Sequence, residues 1–461
     1  MEPSLPVSHP SLSYWHRTTR AYPHLDRNRQ TDVPPSSKYV IIGSGISGAL
    51  VAWNLIKDGV KGDEILILEA REAVSGASGR NAGHIRPDAF RGFPVYAAIH
   101  GPEEARKIIE NERIVLEQAK SFITSNHIDC DFQDTTTIDV CLSQEFVNHQ
   151  EKSLAAYKQV GGDTSHIKFH DAEDAKVKTR VPDVICAYEW PAGSVHPAKL
   201  TQWVLDDVIN QGAQLWTYCA ATAVKPHVDP GSSGLRWDIH TPRGVLAAET
   251  VIHCANAYSA YLLPHLAHFV TPRRSQVHAF VPNASGAGSN VLGLTMSLRY
   301  GLHHYFSVNQ VKGSGTVILG GSSTRSDADS NANLVASMTT FDDSNHCLKY
   351  EENSKKEFSM LFPDGQHGQS RPGEGFDQSW TGILGMTPDN VPLVGSVEGL
   401  EGQWICAGFN GHGMARVFTC APGLAMLISG QPWSATGLPL CFQYTQQRID
   451  RYAKTRFQVA T

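Results

Sequence analysis

Gly43, Gly45 and Gly48 stand at GxGxxG spacing, and Glu69 closes the apolar run that comes next. Residue types in this order suit an anion. Gly43 allows a tight turn, Gly45 lets the backbone approach a pyrophosphate, and Gly48 lets a helix pack close to a sheet. Free N–H groups and the dipole at a helix N-terminus favour the negative charge. Glu69 is placed to accept hydrogen bonds from a ribose diol. The elements that must hold these residues are legible around them. Val40, Ile41 and Ile42 form a β-branched run that reads as a buried parallel strand. Ala49, Ala52, Trp53 and Ile56 recur at helical intervals, and Gly59 falls at a helix C-cap. Ile65 to Leu68 reads as the second strand. The whole unit predicts a dinucleotide site over Gly43, Ser44, Gly45, Ile46, Ser47, Gly48 and Glu69, with Ala70 and Arg71 beside it. The competing reading is a glycine-rich turn in another α/β protein.

A second glycine-rich turn lies near the other end of the chain. Trp404 to Ala407 reads as a strand, Gly408 to Gly413 as a loop, and Met414 to Ile428 as a helix. This geometry again aims backbone N–H groups at something negative, which would be the far end of the same cofactor. Between the two turns, Glu249 to Ala257 reads as a short strand that runs into small residues, suited to close approach.

His303, His304 and Tyr305 are the candidates for substrate contact. Alternation along a strand would put His303 and Tyr305 on one face and His304 on the other. Satisfied sheet histidines are the bland alternative. No metal site is expected, because no acidic or Cys partner has ligand spacing.

The composition narrows the class. A chain of 461 residues is long for one core and predicts two lobes. A net charge of −6 gives no reason to expect nucleic acid or an anionic membrane as partner. No apolar run has the length to span a bilayer, and no secretory signal is visible. The nine cysteines are scattered, odd in number and without a CxxC pair, which favours reduced thiols in a cytoplasmic protein.

Residues 1–37 read as an extended arm, pinned by Tyr14 and Trp15, or as a disordered tail. Amphipathic spacing predicts helices over 101–126 and near 145–161, and another after Pro197 that stops at Gly212. Ala213 to Val224 reads as a strand, and Leu235 to Thr241 with Gly244 to Ala247 as a hairpin. Strand-like pieces at Ser275–Val281, Tyr305–Val308 and Thr316–Gly320 alternate with polar loops such as Ser322–Asn333 and precede a helix near Ser344–Leu361.

Four features resemble the flavin-dependent D-amino-acid oxidase (DAO) superfamily, which includes glycine, sarcosine and γ-glutamylputrescine oxidases. They are GSGISG with Glu69, SGASGRNAGH, the VIHCANAYS strand, and WTG…TPDNVPLVG…GFNGHGM. The γ-glutamylputrescine oxidase branch looks nearest, through the Ser-Gly-Arg-Asn-x-Gly run and an early Tyr-Trp. The resemblance implies an α/β fold, α+β overall. A Rossmann-like FAD-binding domain over 38–90, 190–262 and 376–432 would interleave with an antiparallel-sheet substrate domain over 91–189 and 263–375. An arm (1–37) and a tail (433–461) would flank them.

FAD is the implied cofactor, with its adenosine end on Gly43 to Glu69. Ala223 and Val224 would flank the adenine, and Ala255 and Asn256 the pyrophosphate or ribityl. Ser78, Gly79, Arg80, Asn81, Ala82, Gly83 and His84 would run along the pyrophosphate and flavin edge. Gly382 belongs to the WTG feature, and Gly411, His412, Gly413 and Met414 would lie by the pyrimidine ring. The implied reaction oxidises a C–N bond of a small amine or amino acid by hydride transfer to flavin N5. It gives an imine and, with molecular oxygen, hydrogen peroxide. The alternatives are a dehydrogenase with another acceptor and a flavin-bound protein without turnover. Arg80, Arg86, Arg274 and Arg416 are candidate carboxylate holders, Arg416 rather structural. Gly382 to Met386, just before Thr387-Pro388-Asp389, hold no cysteine, whereas monomeric sarcosine oxidases attach flavin through a cysteine there; His84 and Cys406 are the remaining candidates for a covalent link. Lys312, the candidate for speeding oxygen reduction, reads as a turn residue.

Overall fold

Val40 and Ile41 are fully buried and Ile42 nearly so, as a strand covered on both faces requires. Their strand, Ser36–Ile42, pairs in parallel with Ile65–Leu68 on one side and with Gly244–His253 on the other. This is a computed structural model, and it describes residues 2–228, 234–321, 338–363 and 371–453. The polar loop expected over Ser322–Asn333 lies outside the described residues, as does the end of the C-terminal tail.

The first sheet grows outward from that centre. Gln214–Trp216 joins Ile65–Leu68, and Gln403–Ala407 joins Gly244–His253, both in parallel. Leu393–Ser396 then adds antiparallel to Gln403–Ala407. Two expectations need correction here. Ala213 to Val224 is not one strand: it divides into Gln214–Trp216 and Ala223–Pro226, because Tyr218 turns the chain with φ of 50°. Conversely, the hairpin and the strand that follows share one continuous element. Gly244–His253 pairs with Trp237–Thr241 through its first half and with Ser36–Ile42 from Ala247 onward. Only Ala248 separates the two predicted pieces, and nothing there breaks a β ladder.

The second sheet has nine strands. Seven follow the order Gly375–Met386, Thr271–Val281, Val317–Gly321, Tyr305–Gln310, Thr295–Arg299, Gln133–Cys141 and Cys186–Ser194. His84–Ile85 and Lys168–His170 both pair with Cys186–Ser194. The sheet is antiparallel except where Thr295–Arg299 meets Gln133–Cys141 in parallel. Those two strands lie far apart in the chain and are joined by a long crossover rather than a hairpin. Helices at Pro102–Ser125, Gln144–Gln159, Pro197–Asn210 and Leu348–Leu361 answer the sequence expectations. The helix Ile46–Lys57 packs between Pro197–Asn210 and Val417–Ile428.

The N-terminal arm is docked. Trp15 is fully buried and its indole N–H donates to Asn81 O at 2.6 Å, while Ser13 Oγ donates to Gly79 O at 2.6 Å. Of the two readings for residues 1–37, the pinned arm holds over its described part.

Four histidines are buried in this frame. Burial lowers His16 and His278 from the ordinary 6.5 to about 3, and His196 and His253 to about 4. The unfolded chain therefore binds more protons than the folded one between pH 6.5 and these values. Their stabilising contribution is complete above pH 6.5 and is lost as pH falls toward 4. Each histidine costs about 1 kcal/mol per pH unit in that window. Thermal melting at pH 7.5 and 5.0 is expected to show a midpoint lower by at least several degrees at pH 5.0. Equal midpoints would contradict this assignment.

Candidate active site

Between the two sheets runs a cavity of about 410 Å³. Gly43, Gly45, Ile46, Ser47, Glu69, Ala70 and Arg71 line it from the first sheet and its helix. Ser78, Arg80, Asn81, Ala82 and His84 line it along the glycine-rich run. Ala255, Asn256, Gly382, Gly411, His412, Gly413 and Met414, also predicted for the cofactor, line it as well. Six other predicted residues lie off the wall. Ser44 holds Glu69 by donating its hydroxyl to Oε2 at 2.7 Å. Gly48 permits helix packing, Gly79 packs on His16, and Gly83 sits against Asn309 and Val195. Ala223 and Val224, predicted beside the adenine, are placed off the cavity wall. They lie in a strand that leaves to pair with Trp237–Thr241, and Ala220 and Ala221 line the cavity instead.

Glu69 is fixed from both oxygens. Oε2 accepts from Ser44 N–H at 3.1 Å as well as from its hydroxyl, and Oε1 accepts from Arg71 N–H at 3.0 Å. A carboxylate has further lone pairs, so it still offers acceptors to a diol. Asn256 Oδ1 accepts from the amides of Gly408 and Phe409 at 2.9 and 3.3 Å. That contact ties the small-residue strand end to the C-terminal glycine loop. Beneath the loop, buried Glu112 accepts from Arg416 Nε at 2.9 Å and from Asp88 N–H at 2.7 Å. His412 Nδ1 lies 3.4 Å from the same carboxylate. Burial opposes ionisation of Glu112, but His412 and Arg416 outweigh it and hold the carboxyl at about 2. Arg416 also donates to Tyr96 Oη at 2.7 Å and is fully buried, so it is structural.

The second sheet supplies the opposite wall. Tyr305 lines the cavity; His303 and His304 do not. The two histidines do not alternate across the sheet because they precede the strand, which begins at Tyr305. Arginines take their place. Arg86, Arg91 and Arg299 all line the cavity and converge on Asp139 at 2.5, 3.1 and 3.6 Å. Burial alone would raise the Asp139 carboxyl, but the three guanidiniums pull it well below the usual carboxylate range. Arg299 stacks over the Tyr305 ring at 4.2 Å, and its buried Nε has no hydrogen-bond acceptor among the described residues. Burial and the neighbouring Arg91 lower it to about 9. Asp88, also on the wall, accepts from the Phe90 and Gly92 amides at 3.1 and 2.8 Å. Three cations thus face two carboxylates, and one positive charge is left over.

Of the arginines named from sequence, only Arg86 belongs to this group. Arg80 lines the cavity elsewhere, and Arg274 bonds the Asp342 carbonyl. Arg91 was readable in the Arg-Pro-Asp-Ala-Phe-Arg run that carries Arg86; Arg299 and Asp139 had no local signal. Lys312 lies in a turn off the cavity, as expected, and Cys406 is buried off the wall.

The residues present fit an extended flavin dinucleotide. Both ring nitrogens of His84 are buried on the wall with no partner among the described residues. A Cβ on Gly45 would approach Ser78 Oγ to 3.0 Å, closing the cradle at the helix start. Glu69 would take the ribose, the Gly45–Ser47 helix start the pyrophosphate, and the Gly411–Met414 loop the flavin. Replacing Glu69 by Ala is expected to cut the flavin-to-protein ratio of the purified protein at least several-fold while far-UV circular dichroism stays unchanged. Full flavin content in that variant would refute the role given to Glu69.

The chain is 28% identical over 186 residues to a subunit of the anaerobic glycerol-3-phosphate dehydrogenase of Haemophilus influenzae, covering 40% of this chain and 29% of that one. It is 24% identical over 243 residues to the gamma-glutamylputrescine oxidoreductase of Escherichia coli K12, covering 51% and 53%. The chain therefore matches about half or less of the length of these two relatives. Among solved structures, glycine oxidase from Geobacillus kaustophilus superposes with a TM-score of 0.68 at 17% identity, covering 90% of this chain and 99% of that one. This likeness shows a shared fold. The family model "FAD dependent oxidoreductase" (DAO) matches residues 38–430, and the chain belongs to that family of FAD-dependent oxidoreductases.

Proposed function

We propose that the protein oxidises the C–N bond of a small amine that carries a carboxylate, an amino acid or an N-substituted relative of one. The observation that carries this reading is the surplus positive charge of Arg86, Arg91 and Arg299 on the wall of the same cavity that the Gly411–Met414 loop lines. Buried cations without full compensation are costly, and an anionic ligand group relieves that cost. Arg299 has a donor to spare and a plane fixed by Tyr305, which suits capture of a carboxylate.

FAD supplies the two-electron acceptor when bound. The chain's own residues have three tasks. The arginine group holds the carboxylate and so fixes the carbon next to nitrogen. Tyr305, at the exposed start of its strand, offers a hydroxyl to the substrate. The sheet wall excludes water, which lowers the pKa of a bound amine and favours its neutral form. No strong side-chain base is needed for hydride departure, and His84 offers none: burial and Arg86 hold it at about 3. The product imine then hydrolyses in water. Oxygen is the acceptor in this reading, with hydrogen peroxide as product; a carrier protein or quinone is the alternative.

The test is an anaerobic titration of the flavin-loaded protein with sarcosine, glycine, D-amino acids, γ-glutamyl amines and polyamines, followed by flavin absorbance. Bleaching by a carboxylate-bearing amine, and none by a polyamine, is expected. Admitting air then separates oxidase from dehydrogenase by the speed of recolouring. Bleaching by polyamines alone would overturn the anionic-substrate reading. Arg299→Met is expected to raise KM for the bleaching substrate about 10- to 100-fold, the worth of one hydrogen bond to a charged group. An unchanged KM would remove Arg299 from the site.

A further inference from the structure

Two residues on the cavity wall come from none of the glycine motifs. Leu5 and Pro6 lie on it, although they precede the first strand by some thirty residues (roughly a 100 Å reach if extended). The arm around them is two-sided. Leu5, Pro6 and Val7 are half-buried, whereas Glu2, Ser4, Ser8 and His9 are exposed. Apolar side chains therefore face the body at the point where the arm crosses the cavity.

The arm is bonded to the cofactor run itself. Arg71 Nη1 donates to Val7 O at 3.4 Å and to Asp343 Oδ1 at 2.8 Å. Ser11 N–H and Oγ each donate to Asp343 O at 2.9 Å. Arg80 Nη1 donates to Ser11 O at 2.6 Å, and Thr381 N–H donates to Ser11 Oγ at 3.0 Å. Arg71 and Arg80 line the cavity on their other side. Both share the buried carboxylate of Asp343, at 2.8 and 3.6 Å, which fixes the two guanidiniums between the arm and the cavity. Arg71 follows Glu69, the ribose acceptor, by two residues. The arm segment that Arg71 holds therefore crosses the nucleoside half of the cavity.

We propose that Leu5–Ser11 is part of the cofactor site: a strap across the adenosine half of bound FAD that must lift before the cofactor can leave. This rests on the FAD assignment above. The arm lies over the site while Arg71 and Arg80 hold its carbonyls, so contact between arm and cofactor favours both the docked arm and the bound cofactor. Bound cofactor and docked arm thus stabilise each other. Exchange of FAD is gated by release of the bonds at Val7 and Ser11.

The experiment compares the flavin-loaded full chain with a variant lacking residues 2–10. Release of FAD is followed by the rise in flavin fluorescence on dilution. At least a tenfold faster release is expected from the shortened chain; a rate within twofold of the full chain overturns the strap. If the shortened chain does not fold, hydrogen exchange in the full chain carries the test. The Ser11 amide is expected to exchange at least tenfold more slowly with FAD than after its removal, and equal exchange overturns the strap. A full chain that takes up no FAD overturns the cofactor assignment and the strap together. FAD-bound protein with unaltered release and exchange overturns the strap alone.

Discussion

The site depends on one close approach of backbone to backbone. A Cβ on Gly48 would stand 2.1 Å from the Gly43 carbonyl oxygen, so no other residue permits the helix Ile46–Lys57 to sit where it does. Gly43 itself has φ of 115°, and a Cβ there would meet Cys254 O at 2.8 Å. These two positions lock the helix start against the carboxyl ends of three parallel strands. The helix start, where Ile46 N–H donates to Ser78 Oγ at 2.9 Å, then lines the cavity. Glu69 and the Cys254–Asn256 strand end take their places from the same contact, since both lie on strands flanking the turn.

Charge is distributed along the cavity with a consistent logic. Arg71 and Arg80 share Asp343 beside the nucleoside half, and Arg86, Arg91 and Arg299 share Asp139 on the second sheet. Each carboxylate holds its guanidiniums in place without cancelling them. Glu112 and Arg416 form a fully buried pair, with His412 beside it, that supports the C-terminal glycine loop. A buried pair of that kind contributes little net stability by itself, but breaking it leaves an uncompensated charge. The cavity thereby presents fixed guanidiniums at two stations along one wall.

Much of the cofactor side was legible because its requirements are local. A GxGxxG turn, the acid after the next strand and a second glycine loop each state a backbone need at fixed spacing. The errors came where local pattern and tertiary path diverge. Ala223 and Val224 lie two and three residues past Ala221, the last cavity-lining residue of that stretch, after the turn at Tyr218. His303 and His304 were assigned faces on a strand that had not yet begun. The N-terminal arm gave only Tyr14 and Trp15 as hints, and its apolar contact at Leu5 and Pro6 carries no periodicity.

The sequence by itself determined the backbone of the cofactor cradle and the family of folds that builds it. Glycine's lack of a side chain is a constraint that survives any tertiary context. Only the tertiary structure decided which charges meet. Arg86 and Arg91, Asp139 and Arg299 come from three distant stretches: the parallel pairing of Thr295–Arg299 with Gln133–Cys141 joins two of them, and His84–Ile85 on Cys186–Ser194, itself paired with Gln133–Cys141, brings the third. Electrostatic convergence of that kind depends on strand order and register, which no local window encodes. The same holds for Asp343, which draws the arm, Arg71 and Arg80 to a single buried carboxylate.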